Sequence, residues 1–548
     1  MIRPVRVVTR ALVAVAVAMS LLVGASTSAH ATVYAQIEGT GSTWSELILQ
    51  QWIADVDANG MKVVYTGGGS TKGRKDFSQA STDFAISEIP YQGTDERGQA
   101  DTSNGRAYAY LPIVAGGTAF TYQLKIGDKL VRNLRLSGDT LAKIFTNKIT
   151  NWNDPAITKD NNGRKFPSLP IIPVVRSDGS GTTAQFTTWM DKAYPNVWRP
   201  YYGRSGLTSY YPKKGDRMVS QAGSDQVMNT IKGFAGNGMI GYVEYSYPIN
   251  ADYPVVKVEN KAGYFVEPTQ YNTAVALTKA KINQDKKSAL YLTQILDGVY
   301  TNPDPRAYPI SSYSYMIIPT GADDPRMSTA KRQTLADFMY YSLCAGQTKA
   351  GPYGYSPLPL NLVQAGFEQL AKLKTADAKV DLNNRDVRSC NNPTFDGKNL
   401  NHNVLADKAP QPAACDKSGA GPCGTDTGTG KPSTDTGNAA AGGGTAAKPG
   451  DTPSAGAAGG ASVDAPADGA APPAAVDPET GAVTTAGDTT TTAGGEVYAN
   501  PTELVASRTS DQNTFGWLAV LELLALVLVP GLYVVAMRRR RPQTGPRA

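Results

Sequence analysis

The stretch that decides the fold is residues 176–183, with the sequence RSDGSGTT. It follows a short apolar run at 171–175 and precedes a helix-like stretch at 184–190. A strand that passes through a glycine turn into a helix leaves the first backbone amides of that helix unpaired and pointing outward. These amides, with the partial positive charge of the helix terminus, favour an anion. The spacing therefore predicts an anion-binding turn.

The side chains of this stretch add hydrogen-bond donors. Arg176 carries a planar fork that suits a tetrahedral oxyanion, and Asp178 can hold that fork in place. Ser180 and Thr182 supply hydroxyl donors, and Gly181 allows a ligand to approach the backbone closely. We conclude that this stretch binds an anion without doing chemistry on it.

Two similar turns precede it in the chain. Residues 39–44 (GTGSTW) lead into a helical pattern, and residues 63–71 (VVYTGGGST) pass from a strand into a glycine-rich loop. Each turn alone is typical of an ordinary capped helix. Three of them in one chain, one carrying arginine, indicate a shared anion site.

Glu88 follows a short apolar strand within residues 83–90, DFAISEIP. One interpretation is a solvated loop carboxylate. The other is a fixed acceptor in an oxyanion pocket, which would accept the proton that phosphate keeps at neutral pH and repel sulfate, which has none.

The two ends of the chain predict its location. Residues 1–31 combine arginines, an apolar run and Ala-His-Ala, which is typical of a secretory signal peptide. Residues 515–537 are long and apolar enough for one transmembrane helix, and the basic tail 538–548 should stay cytoplasmic. We expect a single-pass protein of the cell membrane with its binding domain extracellular.

Composition separates a linker from the folded part. Residues 406–514 are rich in Gly, Ala, Thr and Pro and are expected to form a disordered linker, which leaves 32–405 for the folded domains. The formal net charge is +6, but the leader and tail hold eight of the 53 basic residues, leaving 45 against 47 acidic ones. Nucleic acid is therefore a poor candidate partner.

Four cysteines occur late in the chain, and in an oxidising compartment they allow three pairings. Pairing of sequence neighbours gives Cys344–Cys390 and Cys415–Cys423 as the expected set. Their spacing fits no standard zinc pattern, so no metal site is predicted.

Catalytic signatures are missing from the sequence. The two histidines are His30, in the signal peptide, and His402, in a polar tail, which leaves little from which to build a histidine-dependent hydrolase. The nucleotide phosphate loop and the serine nucleophile elbow are also absent. We expect no enzymatic activity and no cofactor.

Residues 201–214 combine tyrosines with arginine and lysines in a glycine-containing loop. Both a carbohydrate or cell-wall surface and a surface loop that merely packs its rings fit this pattern.

The order of the motifs GTGSTW, YTGGGS, DFAISEIP and RSDGSGTT resembles the phosphate-binding component of high-affinity phosphate ABC importers. The similarity extends over most of residues 36–370. It implies an α/β, two-lobed class II periplasmic-binding-protein-like fold with the ligand cleft between the lobes. Lobe one is expected at 32–118 and 268–405, and lobe two at 119–267.

The resemblance also implies a phosphate site, in which Asp178 orients Arg176. Glu88 stands where the family usually has aspartate, so its arm is one methylene longer. The residues expected to bind phosphate are Thr43, Trp44 (through its backbone amide), Ser70, Glu88, Arg176, Ser180, Gly181 and Thr182.

The leading hypothesis for function is an extracellular, membrane-tethered receptor for inorganic phosphate that feeds an ABC importer through its permease. The alternative is a surface sensor or cell-wall interaction module that uses the same fold with altered anion specificity. A phosphate-ester hydrolase is disfavoured because histidines and metal ligands are lacking.

Overall fold

A sheet of eight strands runs through the folded part of the chain in the computed structural model, which describes residues 34–420 together with Cys423 and Thr429. The strands are β1 (Ile37–Gly41), β2 (Val63–Gly67), β3 (Phe84–Ser87), β4 (Tyr108–Tyr122), β5 (Ile172–Arg176), β6 (Val219–Gln221), β7 (Met239–Glu244) and β8 (Ser311–Pro319). Beside this sheet, the described residues form one three-stranded sheet and three two-stranded pairs from the short strands Gly93–Thr94, Ala100–Asp101, Lys125–Ile126, Lys129–Leu130, Arg135–Leu136, Lys257–Glu259, Phe265–Val266, Lys281–Ile282 and Gln294–Ile295.

The strand order is β6-β5-β7-β4-β8-β3-β1-β2. Strands β1, β2 and β3 are parallel, as are β5, β6 and β7. The long strand β4 pairs antiparallel with β7 near its end and runs antiparallel to β8 over the rest of its length. Because β8 is also antiparallel to β3, the two parallel sets point their carboxyl ends toward each other. Loops after strands from both halves of the sheet therefore meet in one cleft.

Helices connect these strands. Those of eight or more residues are α1 (Glu46–Asp57), α2 (Ser70–Ser78), α3 (Gly138–Phe145), α4 (Gly181–Ala193), α5 (Pro195–Tyr202), α6 (Gly223–Lys232), α7 (Gln270–Leu277), α8 (Thr329–Leu343) and α9 (Leu360–Ala376). Shorter α-helical segments are Pro155–Asp160, Ser246–Asn250, Asp297–Tyr300 and Val404–Lys408. Side-chain caps fix several starts: Ser137, Ser180, Thr269 and Ser328 each accept a hydrogen bond from a backbone amide of the first turn.

Two large hydrophobic clusters divide the core. The first draws on residues 37–115 and 274–409, and the second on residues 120–266. We call these parts lobe one and lobe two. Tyr308 and Ile310, which the sequence placed in lobe one, instead pack with the second cluster, since the chain just before β8 lies beside β4 where the carbonyl of Ile310 accepts from the Thr118 amide.

Residues 406–420, which the sequence assigns to the linker, are part of the described structure and include ordered segments. After α9 the chain forms an extension, residues 377–420, that packs on the rest of the protein. Cys390 is joined by a disulfide bond to Cys344, at the end of α8 in lobe one. The apolar side chains of the extension, among them Val380, Val387 and Leu405, are buried in the core of lobe one.

The far end of the extension lies on lobe two. Lys257 pairs with Asp416 at 2.7 Å. Arg135 donates from Nη1 to the carbonyl of Cys415 at 2.9 Å, and Cys415 forms the second disulfide bond, with Cys423. The disulfide pairing expected from the sequence is thus present, and the extension is attached to both lobes.

The predicted signal peptide, 1–31, and transmembrane segment, 515–537, lie outside the described residues. Within the part of the chain that the structure describes, no helix is both long and apolar enough to cross a membrane.

Candidate functional site

Four helices begin at the cleft. Helices α1 and α2 follow β1 and β2 in lobe one, and α4 and α6 follow β5 and β6 in lobe two. Their amino-terminal turns touch across the cleft: the Gly181 amide donates to Oγ of Ser70 at 3.1 Å, and the hydroxyls of Thr43 and Ser224 lie 3.0 Å apart. Converging helix amino termini create a site that favours an anion.

The guanidinium of Arg176 is almost completely buried, with 2% of the residue exposed. Its Nε donates to Oδ1 of Asp178 at 2.7 Å, its Nη2 donates to the other carboxylate oxygen, and its Nη1 donates to Oγ of Ser224 at 3.3 Å. Burial alone would lower the pKa of Arg176, but the Asp178 carboxylate outweighs burial and raises it. A permanent positive charge is therefore fixed in the cleft wall.

Glu88 is fully buried at the end of β3. It accepts hydrogen bonds from Oγ of Ser70 at 2.7 Å and from Oγ of Ser314 at 2.9 Å. Burial raises the pKa of Glu88, while the hydroxyl hydrogen bonds act in the opposite direction. The carboxyl group is thus a fixed acceptor inside the site rather than a solvated loop residue.

The start of α4 lies directly against this carboxyl group. A Cβ atom at Gly181 would stand 2.0 Å from Oε2 of Glu88, so only glycine fits there. Ser180 uses its hydroxyl to accept from the Thr183 amide at 3.1 Å, as a helix cap. The hydroxyl of Thr182 is buried and has no hydrogen-bond partner among the described residues. Buried polar groups are normally paired, so this hydroxyl fits a ligand contact.

Trp44, whose backbone amide is expected to bind the ligand, lies just before the start of α1. Its backbone amide donates to Oγ of Ser42 at 3.0 Å. Its ring is fully buried in lobe one and packs edge-on against Tyr355, with ring centres 5.7 Å apart. Thr43, next to it, accepts from the Ser224 amide at 3.1 Å.

Sequence reasoning missed several site residues. Ser224 contacts both Thr43 and Arg176, and the Gly223 amide donates to Asp178 at 3.1 Å. Ser314 reaches Glu88 from β8. The Gly223-Ser224 pair was detectable, since a glycine-serine turn after β6 opens α6 in the same way as the other turns. Ser314 lies in a strand and gives no such signal.

A cavity of about 480 Å³ lies at the mouth of the cleft. Thr43, Tyr65, Gly223 and Tyr247 contribute to its wall together with Glu46, whose pKa burial raises to about 6. Among residues 34–420 no group of three or more His, Cys, Asp or Glu side chains is placed to hold a metal ion.

The two α/β lobes share a continuous strand and enclose a cleft lined by helix amino termini. This arrangement defines a solute-binding protein. The chain belongs to the PBP superfamily, whose domain model matches residues 26–345.

Relatives carry a more specific name. The chain is 31% identical to the phosphate-binding protein PstS of Methanocaldococcus jannaschii, over 62% of this chain and 86% of that protein. It is 30% identical to PstS of Pasteurella multocida, over 66% of this chain and 98% of that protein. A solved structure of a high-affinity periplasmic phosphate-binding protein with bound phosphate matches with a TM-score of 0.46 and 18% identity, covering 62% of this chain and 93% of that one.

Both PstS relatives are named as phosphate-binding proteins. This agrees with the prediction that the chain has no catalytic activity.

Proposed function

We propose that the protein is an extracellular, membrane-tethered receptor that binds inorganic phosphate and delivers it to an ABC importer. The relatives named above are phosphate-binding proteins, which supports the ligand. The signal peptide, linker and transmembrane segment expected from the sequence support the tethered location.

One arrangement carries the proposal: Arg176 and Glu88 line the same buried site. Arg176 offers charge and donors to a tetrahedral oxyanion, whereas Glu88 needs a proton from it. Monohydrogen phosphate supplies both the charge and the proton. Sulfate supplies only the charge. It has no proton to donate to Glu88, so two negative groups would face each other with no hydrogen bond between them.

The unpaired hydroxyl of Thr182 adds a further donor. Hydrogen bonds to a charged group contribute about 1.5–3 kcal/mol each. Several such bonds suffice for micromolar or tighter binding, about −8 kcal/mol or below, after desolvation costs.

A calorimetric titration of the full-length chain in detergent, stripped of bound anion, tests the proposal. We expect saturable phosphate binding, no heat with sulfate, and loss of binding in Arg176→Ala. Arg199→Ala is the matched control, because Arg199 also pairs with an aspartate of lobe two, Asp191, but lies outside the cleft.

Glu88 also favours a second candidate, a sensor or cell-wall module with altered anion specificity. Its longer arm brings Oε2 to the surface of Gly181 and so reduces the space for a ligand. Failure of the folded wild-type chain to bind phosphate would contradict the receptor proposal and favour this alternative.

A further inference from the structure

A hairpin of lobe one reaches lobe two outside the phosphate site. The hairpin, residues 93–101, consists of the short strands Gly93–Thr94 and Ala100–Asp101 and the turn between them. Its tip contacts the loop 204–210, which belongs to the tyrosine-rich, basic stretch noted in the sequence. We call the hairpin tip and this loop the latch.

A single carboxylate oxygen makes most of the polar contact in the latch. Oε1 of Glu96 accepts from the hydroxyl of Thr208 at 2.8 Å, from the Tyr210 amide at 3.0 Å and from the Ser209 amide. Arg204 donates to the backbone carbonyl of Glu96 at 3.2 Å. A carboxylate that accepts several hydrogen bonds holds its partners more firmly than a neutral acceptor does.

Stacking reinforces these hydrogen bonds. The guanidinium carbon of Arg97 lies 3.3 Å from the centre of the Tyr210 ring. The Tyr210 ring also borders Gly179, where an added Cβ would lie 2.9 Å from Tyr210 and 2.5 Å from Thr71. Tyr210 is thus placed between the hairpin and the loop that leads into α4.

The latch is connected to the phosphate site on both sides. In lobe two, the carbonyl of Ser209 accepts from the amide of Ser180, the cap of α4, at 2.9 Å. In lobe one, buried Arg74 on α2 binds Asp101 at the base of the hairpin, with Nη2 to Oδ2 at 2.8 Å. Helix α2 begins with Ser70, so a rigid connection runs from one phosphate-binding helix to the other.

We propose that Glu96, supported by Arg97, holds the cleft closed and thereby limits the rate at which bound phosphate leaves. This inference rests on the proposed function, because it concerns the rate at which phosphate bound in the same cleft is released. Glu96 acts as a positioning residue: it acts through Ser209 and Ser180 and makes no contact with the anion itself. These contacts also favour the interpretation of the stretch 201–214 as a loop that packs within the protein rather than as a carbohydrate surface.

The test measures release of radiolabelled phosphate from the full-length chain in detergent after addition of excess unlabelled phosphate. In Glu96→Ala we expect the dissociation rate to rise about tenfold, with the association rate within about twofold of wild type. Glu96→Gln, which keeps the shape of the side chain, should lie between the two. Asp128→Asn is the matched control, since it removes the same charge from another exposed hairpin, Lys125–Leu130.

Unchanged release from both folded Glu96 variants would overturn the latch. A second measurement separates this result from failure of the proposed function. Amide hydrogen exchange of Ser209 and Tyr210 in the phosphate-free protein should be about tenfold faster in Glu96→Ala than in wild type. Equal exchange would overturn the latch whether or not the wild-type chain binds phosphate.

Discussion

The backbone amide of Gly181, in lobe two, donates to the hydroxyl of Ser70, in lobe one, at a distance of 3.1 Å. Ser70 in turn donates to Glu88, so a relay of two hydrogen bonds crosses the cleft. The amide that opens α4 therefore meets a protein acceptor at the place where the proposed ligand would lie.

Gly181→Ala should remove phosphate binding and lower stability. The added methyl group would stand 2.0 Å from Oε2 of Glu88, and overpacking of a buried site costs about 1–3 kcal/mol. Gly321→Ala is the control, because its nearest neighbouring atom would lie 3.6 Å away. Calorimetry and thermal unfolding measure both effects, and a Gly181→Ala protein that binds phosphate normally would contradict this steric explanation.

Glu88→Gln should weaken phosphate binding about 10- to 100-fold and allow sulfate to bind, because the amide can donate to an anion that has no proton. In the wild type, sulfate affinity should rise as the pH falls through the raised pKa of Glu88, since the protonated acid no longer repels sulfate. Sulfate titrations at several pH values above the usual glutamate pKa of about 4.3 measure this change.

Glu46→Gln is the control for that series. Glu46 lies at the cavity mouth and also has a raised pKa, but it does not contact Ser70 or Ser314. It should keep the discrimination against sulfate. If Glu46→Gln binds sulfate and Glu88→Gln does not, selectivity against sulfate comes from Glu46, and the role proposed for Glu88 is contradicted.

Glu244→Gln should become more stable than wild type as the pH rises. Glu244 is fully buried, one of its oxygens accepts from the Ser246 amide at 2.5 Å, and the other has no partner among the described residues. Burial raises its pKa well above the usual value. Its neutral form therefore supports the folded state below the unfolded pKa of about 4.3, and this contribution is lost as the pH rises toward the folded pKa.

The free energy of unfolding of the wild type should fall relative to Glu244→Gln by about 1.4 kcal/mol per pH unit over that window. Denaturant unfolding at several pH values measures the difference. Glu368→Gln, on the exposed side of α9, should show no such trend. A constant difference between Glu244→Gln and wild type would show that Glu244 is ionised in the folded state.

Replacing Cys344 and Cys390 together by serine should lower the free energy of unfolding by about 4 kcal/mol, because their bond closes a loop with a sequence separation of 46 residues. The pair Cys415 and Cys423, eight residues apart, should contribute about 2.5 kcal/mol. Denaturant unfolding compares the two double variants. A larger loss of stability on replacing Cys415 and Cys423 would contradict the expected increase of stabilisation with loop length.

The sequence predicts much of the site because its main elements are local. In RSDGSGTT, the arginine, its aspartate and the start of α4 lie within eight residues, so their contact needs no knowledge of the tertiary fold. Ser70 and Glu88 follow strands whose ends give the same kind of signal. The α/β alternation likewise predicts a sheet with helices between its strands.

Other contacts depend on packing across the cleft and leave no local trace. Glu96 looks like any charged residue of a turn, and its role follows only from its position beside Ser209. The last part of the extension, residues 406–420, resembles the start of the linker in composition, and its contacts with lobe two, such as that of Arg135 with the carbonyl of Cys415, leave no local signal in the sequence.

The attachment of the extension to both lobes has a mechanical consequence. Thr429 donates its amide to the carbonyl of Arg132 at 3.0 Å and its hydroxyl to the carbonyl of Val255 at 2.7 Å, so a pull on the chain beyond it would act first on lobe two. If the chain beyond Thr429 leads to a membrane anchor, as we propose, force along it would act on lobe two alone and would not pull directly on the contacts between the lobes.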